Sequence, residues 1–311
     1  MIINEYKNPK NSLVLFELGD KLDFLIKLYN LNKLPGVTML SGNKGIGKFT
    51  LINHFLTYIF DKDNYDLKER TINPHTPFYI QYSNTIFPNI IYLSGNKYKN
   101  IKIDDIRNLK STILKSSMIN QDRFIVLDDI ELFNQNSLNA LLKILEDPLP
   151  NNYFILINNK SKPLIETIYS RSLELKIILN DLTRIKLIES LIKKDNLKVF
   201  IEYTFSSLTP GNFLLFNKIC EDNKIDFNAN FLKNLEILLN LYKKNKSISL
   251  INFILFLAEY YFYYLKKNKI NDIERIIENK SFVTNNIDKF VNFNLNQKSL
   301  INVINSKLSN G

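Results

Sequence analysis

The sequence predicts an α/β domain with a mainly parallel five-stranded sheet, followed by an all-helical remainder. Up to about residue 180, short apolar runs alternate with amphipathic helical segments, a pattern typical of parallel strands joined by crossover helices. Beyond that point, apolar residues recur at helical spacing and no further run resembles a strand. Of the 311 residues, 45% are hydrophobic, which is enough to fill more than one core.

The first part of the α/β region predicts a helix, a strand and a second helix in succession. Apolar residues at helical spacing predict a helix over 21–34, which a Pro-Gly pair ends. The run "VTML" at 37–40 predicts a buried strand. After a glycine-rich loop, "TLINHFLTYIF" predicts an amphipathic helix from about Thr50. Residues 61–88 are polar and turn-rich and give no clear prediction.

The alternation continues through the second part of this region. Four further apolar runs predict strands at 89–93, 124–131, 153–159 and 173–178. Two segments between them predict amphipathic helices at 103–118 and 137–148. The second of these helices places leucines at i, i+3, i+4 and i+7 and ends at a proline.

The remainder of the chain shows helical periodicity in five segments, with weaker signals up to residue 308. These segments are 181–203, 213–220, 229–244, 248–266 and 271–279. A polar, turn-prone stretch at 222–228 separates two groups of helices. Three domains are therefore predicted, over 1–180, 181–222 and 223–311.

Composition excludes several classes of protein. The single cysteine, Cys220, rules out a disulfide framework and a four-cysteine zinc module, and it favours a cytoplasmic location. The N-terminus lacks the basic flank, apolar core and cleavage site that mark a signal peptide. The most apolar stretch, 249–265, is interrupted by Glu259 and predicts a buried bundle helix rather than a membrane span.

The formal net charge of +10 raises the hypothesis of a stand-alone nucleic-acid binder, because a basic surface attracts phosphate backbones. The basic residues are spread along the chain, however, and mark no groove. The abundance of Asn, Ile and Lys is also what an AT-rich genome produces. The charge alone therefore gives weak support to a role near DNA.

The loop after the first strand, "GNKGIGK", matches the phosphate-loop pattern G-x-x-x-x-G-K. Gly42, Gly45 and Gly47 have no Cβ atoms, so the loop amides are able to converge on phosphate oxygens. The following helix adds its positive N-terminal end, and Lys48 is the residue expected to reach the β- and γ-phosphates. The alternative interpretation is a glycine-rich turn with a solvated lysine.

The next position departs from the pattern, because Phe49 stands where Ser or Thr normally ligates Mg²⁺. Phenylalanine offers no oxygen and adds bulk at the metal site. Thr50 carries a hydroxyl, but one residue further along a helix points about 100° away. The loop at 42–48 is thus expected to hold phosphate without metal-assisted transfer.

Two acidic residues follow the apolar run "FIVL" at the end of the third predicted strand. In phosphate-loop ATPases the first such acid holds Mg²⁺ and the second orients water. Here these residues are Asp128 and Asp129, and Asp129 is one methylene shorter than the usual Glu. His54 and His75 lack a paired ligand pattern and are expected to be structural or surface residues, so no metal site is predicted.

Arg171 lies just before the fifth predicted strand, within "YSRSLEL". An arginine at this place is able to reach a phosphate on a neighbouring subunit, and such trans-acting arginines are worth about 10³–10⁵-fold in rate. From these residues alone, an ordinary surface arginine is the favoured interpretation.

Taken together, the motifs resemble those of the bacterial clamp-loader AAA+ proteins. The glycine loop is accompanied by "NALLKILEDP", which resembles the family signature "NALLK-x-LEEPP", and by "SRS", which resembles its "SRC". The resemblance covers about residues 13–180, whereas segment order alone supports it further on. It implies an AAA+ domain, a helical lid over 181–222, and an all-α collar over 223–311 that assembles into a ring of five.

Within that family the chain resembles a stator rather than a motor subunit, since motors have an intact phosphate loop and a four-cysteine zinc module. The resemblance implies that Arg171 is a trans-acting arginine finger facing ATP on a neighbouring motor subunit. Ser172 departs from the "SRC" pattern by a change that is conservative in size. The segment "LTPGNFLLF" at 208–216 resembles the start of the third lid helix, but the arginine that often follows it is missing.

The same resemblance implies the partners and cofactors. The partners are the motor and delta-type loader subunits, the sliding clamp indirectly, and primed DNA within the complex, with no membrane. No cofactor is required, and ATP or Mg²⁺ binding is weak or vestigial. The alternative is a motor-type, DNA-dependent ATPase, which Lys48, Asp128 and Asp129 favour and which Phe49 argues against.

Overall fold

A computed structural model describes residues 12–95, 101–114, 121–204, 208–227, 229–268 and 272–309. The strands are β1 (Val37–Ser41), β2 (Tyr65–Asp66), β3 (Thr71–Ile72), β4 (Ile90–Ser94), β5 (Arg123–Asp128), β6 (Asn152–Asn158) and β7 (Leu173–Lys176). The helices before residue 180 are α1 (Gly19–Asn30), α2 (Lys48–Phe60), α3 (Pro77–Ser83), α4 (Ile103–Ile113), α5 (Gln135–Leu145) and α6 (Glu166–Tyr169). The later helices are α7 (Asp181–Asp195), α8 (Pro210–Asn223), α9 (Phe231–Asn245), α10 (Ile248–Asn268), α11 (Ile273–Phe293) and α12 (Gln297–Ser309).

The five long strands form one sheet in the order β4-β5-β6-β1-β7, and every pairing within it is parallel. The predicted five-stranded parallel sheet is therefore confirmed. Because all strands run in the same direction, the segments that follow β1, β5 and β6 meet at the carboxyl edge of the sheet. That edge carries the glycine loop and both acids of the third predicted strand.

The sheet is covered on both faces, and alternate residues of β5 show how. Phe124 and Val126 point into a core that α1, α2 and α3 close. Ile125 and Leu127 point into a second core that α4 and α5 close. Alternate burial on two apolar faces explains why the central strands β5 and β6 appear in the sequence as continuous apolar runs.

Several predicted boundaries need correction. The third strand ends at Asp128, not at 131, because Asp129 takes a left-handed backbone conformation (φ 50°) and a 3₁₀ turn follows at Ile130–Leu132. The helix predicted over 103–118 ends at Ile113, and its last predicted residues lie outside the described ranges. The helix predicted from Thr50 begins two residues earlier, with Gly47 as its N-cap.

Two other predictions missed regular structure or its extent. The segment 61–88 contains the β2–β3 hairpin and α3, whose start is capped by Thr76 and favoured by a proline in the first turn. The helix predicted over 271–279 continues to Phe293, since its buried residues keep helical spacing beyond a polar middle section.

The described chain separates into two compact units. One comprises the described residues from 12 to 193 together with Thr209–Asn212, and the other comprises the described residues of 194–208 and 213–309. The three-domain division at 180 and 222 stays a prediction.

Helix α10 forms the centre of the helical unit. Its Phe253 ring stacks on Phe216 with centroids 4.4 Å apart, and Ile254 and Leu257 are buried. Among the described residues it is the one helix that is long and apolar enough, over Ile248–Lys267, to cross a membrane by length and composition. Its buried face packs on α9 and α11, as a core helix of a bundle does.

Candidate functional site

The glycine loop leaves the carboxyl end of β1 and enters α2 directly. Gly42, Gly45 and Gly47 all have positive φ angles, of 152°, 87° and 94°, and the Gly42 N–H donates to the carbonyl of Asn158 at the end of β6 (3.1 Å). The strand–loop–helix context that a phosphate loop requires is therefore present.

The loop lysine is turned back onto the loop itself. The Lys48 Nζ donates to the carbonyl oxygens of Gly42 (2.6 Å) and Asn43 (2.8 Å), and its side chain is buried. Burial lowers the pKa of Lys48 to about 8, although the carboxylates of Asp128 and Glu131 partly oppose that shift. Two of its three donors are thus satisfied by the backbone that surrounds them.

A short segment from the start of α8 sits on the outer side of the loop. The Thr209 hydroxyl donates to the Lys44 carbonyl (2.8 Å), and the Gly211 N–H donates to the Gly45 carbonyl (2.8 Å). The approach is so close that a Cβ on Gly45 would lie 2.5 Å from the Thr209 oxygen, at a φ angle that side chains rarely adopt. This contact holds the middle of the loop in a fixed conformation.

Phe49, which stands where a phosphate loop normally has a hydroxyl side chain, makes an aromatic contact instead. Its ring meets the Tyr92 ring edge to face, with centroids 5.3 Å apart. The Tyr92 hydroxyl in turn donates to Asp128 Oδ2 (2.9 Å), while the Asp129 N–H donates to Asp128 Oδ1 (2.8 Å). Both oxygens of the acid expected to hold a metal therefore already accept hydrogen bonds from the protein.

Magnesium does not fit this set of residues. Mg²⁺ requires oxygen ligands in near-octahedral geometry, but position 49 supplies a phenyl ring and Asp128 is engaged by Tyr92. Among the described residues, no group of three or more His, Cys, Asp and Glu side chains is arranged to hold a metal ion. Burial, and next the charge of Asp129, raise the pKa of Asp128 to about 6.

The raised pKa predicts that Asp128→Asn stabilises the protein at neutral pH. The folded state binds the proton of Asp128 more tightly than the unfolded state does. The contribution of this protonation to the free energy of unfolding is therefore complete below about pH 4 and is lost as the pH rises through about 6. Asparagine carries no charge and keeps one oxygen for the Tyr92 hydroxyl, but its amide NH₂ group cannot accept from the Asp129 N–H. We expect removal of the buried charge to outweigh that lost hydrogen bond, so that the free energy of unfolding rises by about 1–2 kcal/mol at pH 7 and falls by about 1 kcal/mol at pH 4, where the Asp128 carboxyl is already neutral.

Urea unfolding of the wild type and Asp128→Asn at both pH values measures this difference. Asp104→Asn is the matched control, since Asp104 is an exposed acid paired with Arg107 on α4. Equal stability of the wild type and Asp128→Asn at pH 7 would show that the Asp128 charge is well accommodated and that a cation site there remains feasible.

The second acid is directed away from the first by its left-handed backbone. Asp129 is buried and accepts a hydrogen bond from Asn159 Nδ2 (2.7 Å), and it pairs with Lys44 Nζ at 3.2 Å. Its carboxylate is therefore held by the loop and by the end of β6.

Glu131 anchors the segment that follows β6. Its carboxylate accepts from the backbone N–H groups of Asn159 (3.1 Å) and Ser161 (3.3 Å), and from the Ser161 hydroxyl (2.7 Å). This buried acid fixes the backbone of Asn159 and so fixes the partner of Asp129.

Arg171 lies near the amino-terminal ends of the strands, whereas the loop lies at their carboxyl-terminal ends. It precedes β7, whose first residue Leu173 is in register with Thr38 near the start of β1. About 13 Å of strand separate Thr38 from Gly42, at roughly 3.3 Å per residue. The guanidinium therefore belongs to a different surface of this domain from the phosphate loop of the same chain.

The structure brings most of the predicted site residues together but not all of them. Lys48, Asp128 and Asp129 converge with the three glycines at the carboxyl edge, whereas Thr50 lies half-buried in the first turn of α2 and Arg171 is remote. His54 is buried between the Tyr65 hydroxyl and the Ser12 carbonyl, and His75 is exposed.

Four residues that contact the site were not predicted from the sequence: Lys44, Tyr92, Glu131 and Asn159. The pair "NN" at the end of a buried strand was a usable signal for Asn159, because polar residues there meet the other strand ends. Tyr92 gave no such signal, since an aromatic residue inside a strand is ordinary.

Comparison with known proteins agrees with this arrangement. A sequence model of the family described as "DNA polymerase III, delta subunit" matches residues 19–183, more than half of the chain. The chain belongs to this family. The match covers the whole parallel sheet, the glycine loop and Arg171.

Curated relatives make it a delta-prime-like member. DNA polymerase III subunit delta' of Buchnera aphidicola subsp. Baizongia pistaciae is 29% identical over 47% of this chain and 45% of its own length. The subunit delta' of Haemophilus influenzae is 26% identical over 54% of each chain. DNA polymerase III subunit gamma of Buchnera aphidicola subsp. Schizaphis graminum is 24% identical over 73% of this chain and 62% of its own. The matched regions span about half the length of the two delta' relatives.

Proposed function

We propose that the protein is a delta-prime-like stator subunit of a DNA polymerase III clamp loader. In this role it supports ATP-driven loading of the sliding clamp in DNA replication and donates Arg171 in trans. The observation that carries the proposal is the separation of Arg171 from the chain's own phosphate loop by the length of a β-strand. An arginine with a catalytic task at that edge must serve a phosphate that another subunit holds.

The state of the loop supports the same proposal. Phe49 supplies no metal ligand, Tyr92 occupies Asp128, and Lys48 is satisfied by loop carbonyls. We therefore propose that the chain has no catalysis of its own and requires no cofactor, with ATP and Mg²⁺ binding weak or vestigial at 42–48. The Walker A motif is in this sense degenerate.

The proposed partners are the motor and delta-type subunits of the loader. The sliding clamp is contacted indirectly, and primed DNA is bound within the complex. The helical lid over 181–222 and the collar over 223–311 are proposed as separate domains, the collar serving oligomerisation. A cytoplasmic location follows from a role in replication and from the single, buried cysteine.

The second candidate is a motor-type, DNA-dependent ATPase. It is favoured by the loop glycines with their positive φ angles and by the similarity to a subunit gamma. It requires metal-assisted hydrolysis at a site where Phe49 supplies no oxygen and Asp128 accepts a hydrogen bond from Tyr92.

Reconstitution tests the proposal against this alternative. The loader is assembled from its cognate subunits with and without this chain, and clamp loading onto primed DNA is measured with ATP. We expect loading to depend on the chain, and we expect the isolated chain with Mg²⁺ and ATP to release no phosphate above background. Hydrolysis by the isolated chain that Lys48→Ala abolishes would establish the motor-type alternative.

A further inference from the structure

The Arg171 guanidinium is held by hydrogen bonds from both of its terminal nitrogens. Its Nη2 donates to Glu146 Oε1 (2.6 Å), and its Nη1 donates to the Thr167 carbonyl (3.1 Å) and the Ser170 hydroxyl (3.4 Å). About 30% of the arginine side chain stays exposed. A guanidinium has five N–H donors in one rigid plane, so contacts on both terminal nitrogens fix that plane and leave other donors for a ligand.

Glu146 comes from a different element and is itself held in place. It follows the last residue of α5, and its backbone N–H donates to the Leu142 carbonyl (3.0 Å). An acidic side chain at the C-terminal end of a helix is opposed by the helix dipole, so helix stability does not account for it. Pairing with a positive charge compensates that unfavourable position.

We infer that Glu146 is a positioning residue that orients Arg171 towards the neighbouring subunit's phosphate, an inference that rests on the function proposed above. Rate enhancement by a charged group depends on its orientation before the reaction begins. A misplacement of about 1 Å is able to cost about 10²-fold in rate. The carboxylate acts through the guanidinium and does not itself touch the phosphate.

The test uses the reconstituted loader and measures kcat and KM for ATP hydrolysis. The rate that remains with Arg171→Ala defines the background from the other sites, so that the Arg171-dependent rate is obtained by subtraction. Glu146→Ala removes the acceptor of the Arg171 Nη2 hydrogen bond, whereas Glu146→Gln keeps an acceptor oxygen but removes the negative charge. We expect the Arg171-dependent kcat to fall by about tenfold to 10²-fold with Glu146→Ala and by less with Glu146→Gln, with KM nearly unchanged.

A double variant makes the result specific. If Glu146 acts through Arg171, then Glu146→Ala adds no loss in the Arg171→Ala background. The matched control is Asp147→Asn, which removes a neighbouring exposed charge at the same helix end. Among the described residues, Asp147 takes part in no ion pair, and its substitution is expected to leave the rate unchanged. Thermal unfolding of each variant verifies that the fold is intact.

Three results would overturn the inference while leaving the proposed function intact. An unchanged rate with Glu146→Ala would make the pair an ordinary surface salt bridge. A faster rate would mean that Glu146 competes with the phosphate for Arg171, and a further loss in the Arg171→Ala background would mean that Glu146 acts elsewhere. If Arg171→Ala itself has no effect, the proposed trans role of Arg171 fails, and the inference fails with it.

Discussion

ATP hydrolysis at the site next to this chain is expected to fall by about 10³–10⁵-fold when Arg171 is replaced by alanine. The guanidinium is permanently charged and offers several N–H donors to a phosphate whose negative charge is redistributed in the transition state. Alanine leaves that charge without this compensation. In the proposed loader, sites that do not receive Arg171 are expected to keep their activity, so total hydrolysis should fall to the level that those sites sustain.

Single-turnover hydrolysis by reconstituted loader measures this effect, and the amount of assembled complex is determined in parallel. Arg107→Ala is the matched control, since Arg107 is an exposed arginine of the same domain that pairs with Asp104 on one helix. Normal hydrolysis with Arg171→Ala would contradict the trans role. Loss of assembly would instead assign Arg171 to the subunit interface, which Arg171→Lys distinguishes because lysine keeps the charge but not the planar fork.

The fold was predictable because its signals are local and repeated. Strands β4, β5 and β6 contain continuous apolar runs of four or five residues, β7 alternates apolar and charged residues, and the helix α5 carries its leucines on a single face. The segment 61–88 escaped because its elements are short and depend on tertiary contacts. The two strands of its hairpin have two residues each, and the seven residues of α3 bury Phe78 and Tyr82 against α2.

The candidate site was predictable in identity but not in conformation. The sequence places Asp128 and Asp129 together, yet the left-handed backbone of Asp129 sends the two carboxylates to different partners. A non-glycine residue with positive φ leaves little trace in a single sequence. The sequence likewise shows that Phe49 replaces a metal-binding hydroxyl. It does not show that the Tyr92 ring packs on Phe49 or that the Tyr92 hydroxyl donates a hydrogen bond to Asp128.

The absence of a hydroxyl ligand at position 49 and the presence of the glycine loop are compatible in physical terms. Positive φ angles at three glycines are needed for the tight connection between β1 and α2 whether or not phosphate binds. Lys48 meanwhile donates to the carbonyl of the buried residue Gly42 and to that of Asn43. The loop therefore has a structural task of its own, which explains how its sequence pattern persists beside a phenylalanine.

Phe124→Ala is expected to lower the free energy of unfolding by about 3–5 kcal/mol. The Phe124 side chain is 0% exposed at the start of β5, and its ring contacts four others. These are Tyr153 (5.2 Å between centroids), Phe60 (5.8 Å), Phe55 (6.0 Å) and Tyr29 (6.1 Å). Alanine removes all four ring contacts and leaves a cavity that the sheet and α2 are unable to close, because both are fixed by backbone hydrogen bonds.

Urea unfolding followed by circular dichroism measures this loss, with Phe24→Ala as the matched control. Phe24 lies on α1 with 42% of its surface exposed, so the same substitution should cost less than 1 kcal/mol there. A similar small loss at Phe124 would mean that the core relaxes around the cavity. Since natural domains are stable by about 5–15 kcal/mol, the expected loss leaves β5 marginally folded. The sheet would then no longer hold Arg171 and the loop in position. The ATP hydrolysis rate of loader that contains this variant should fall in proportion to the unfolded fraction of the variant.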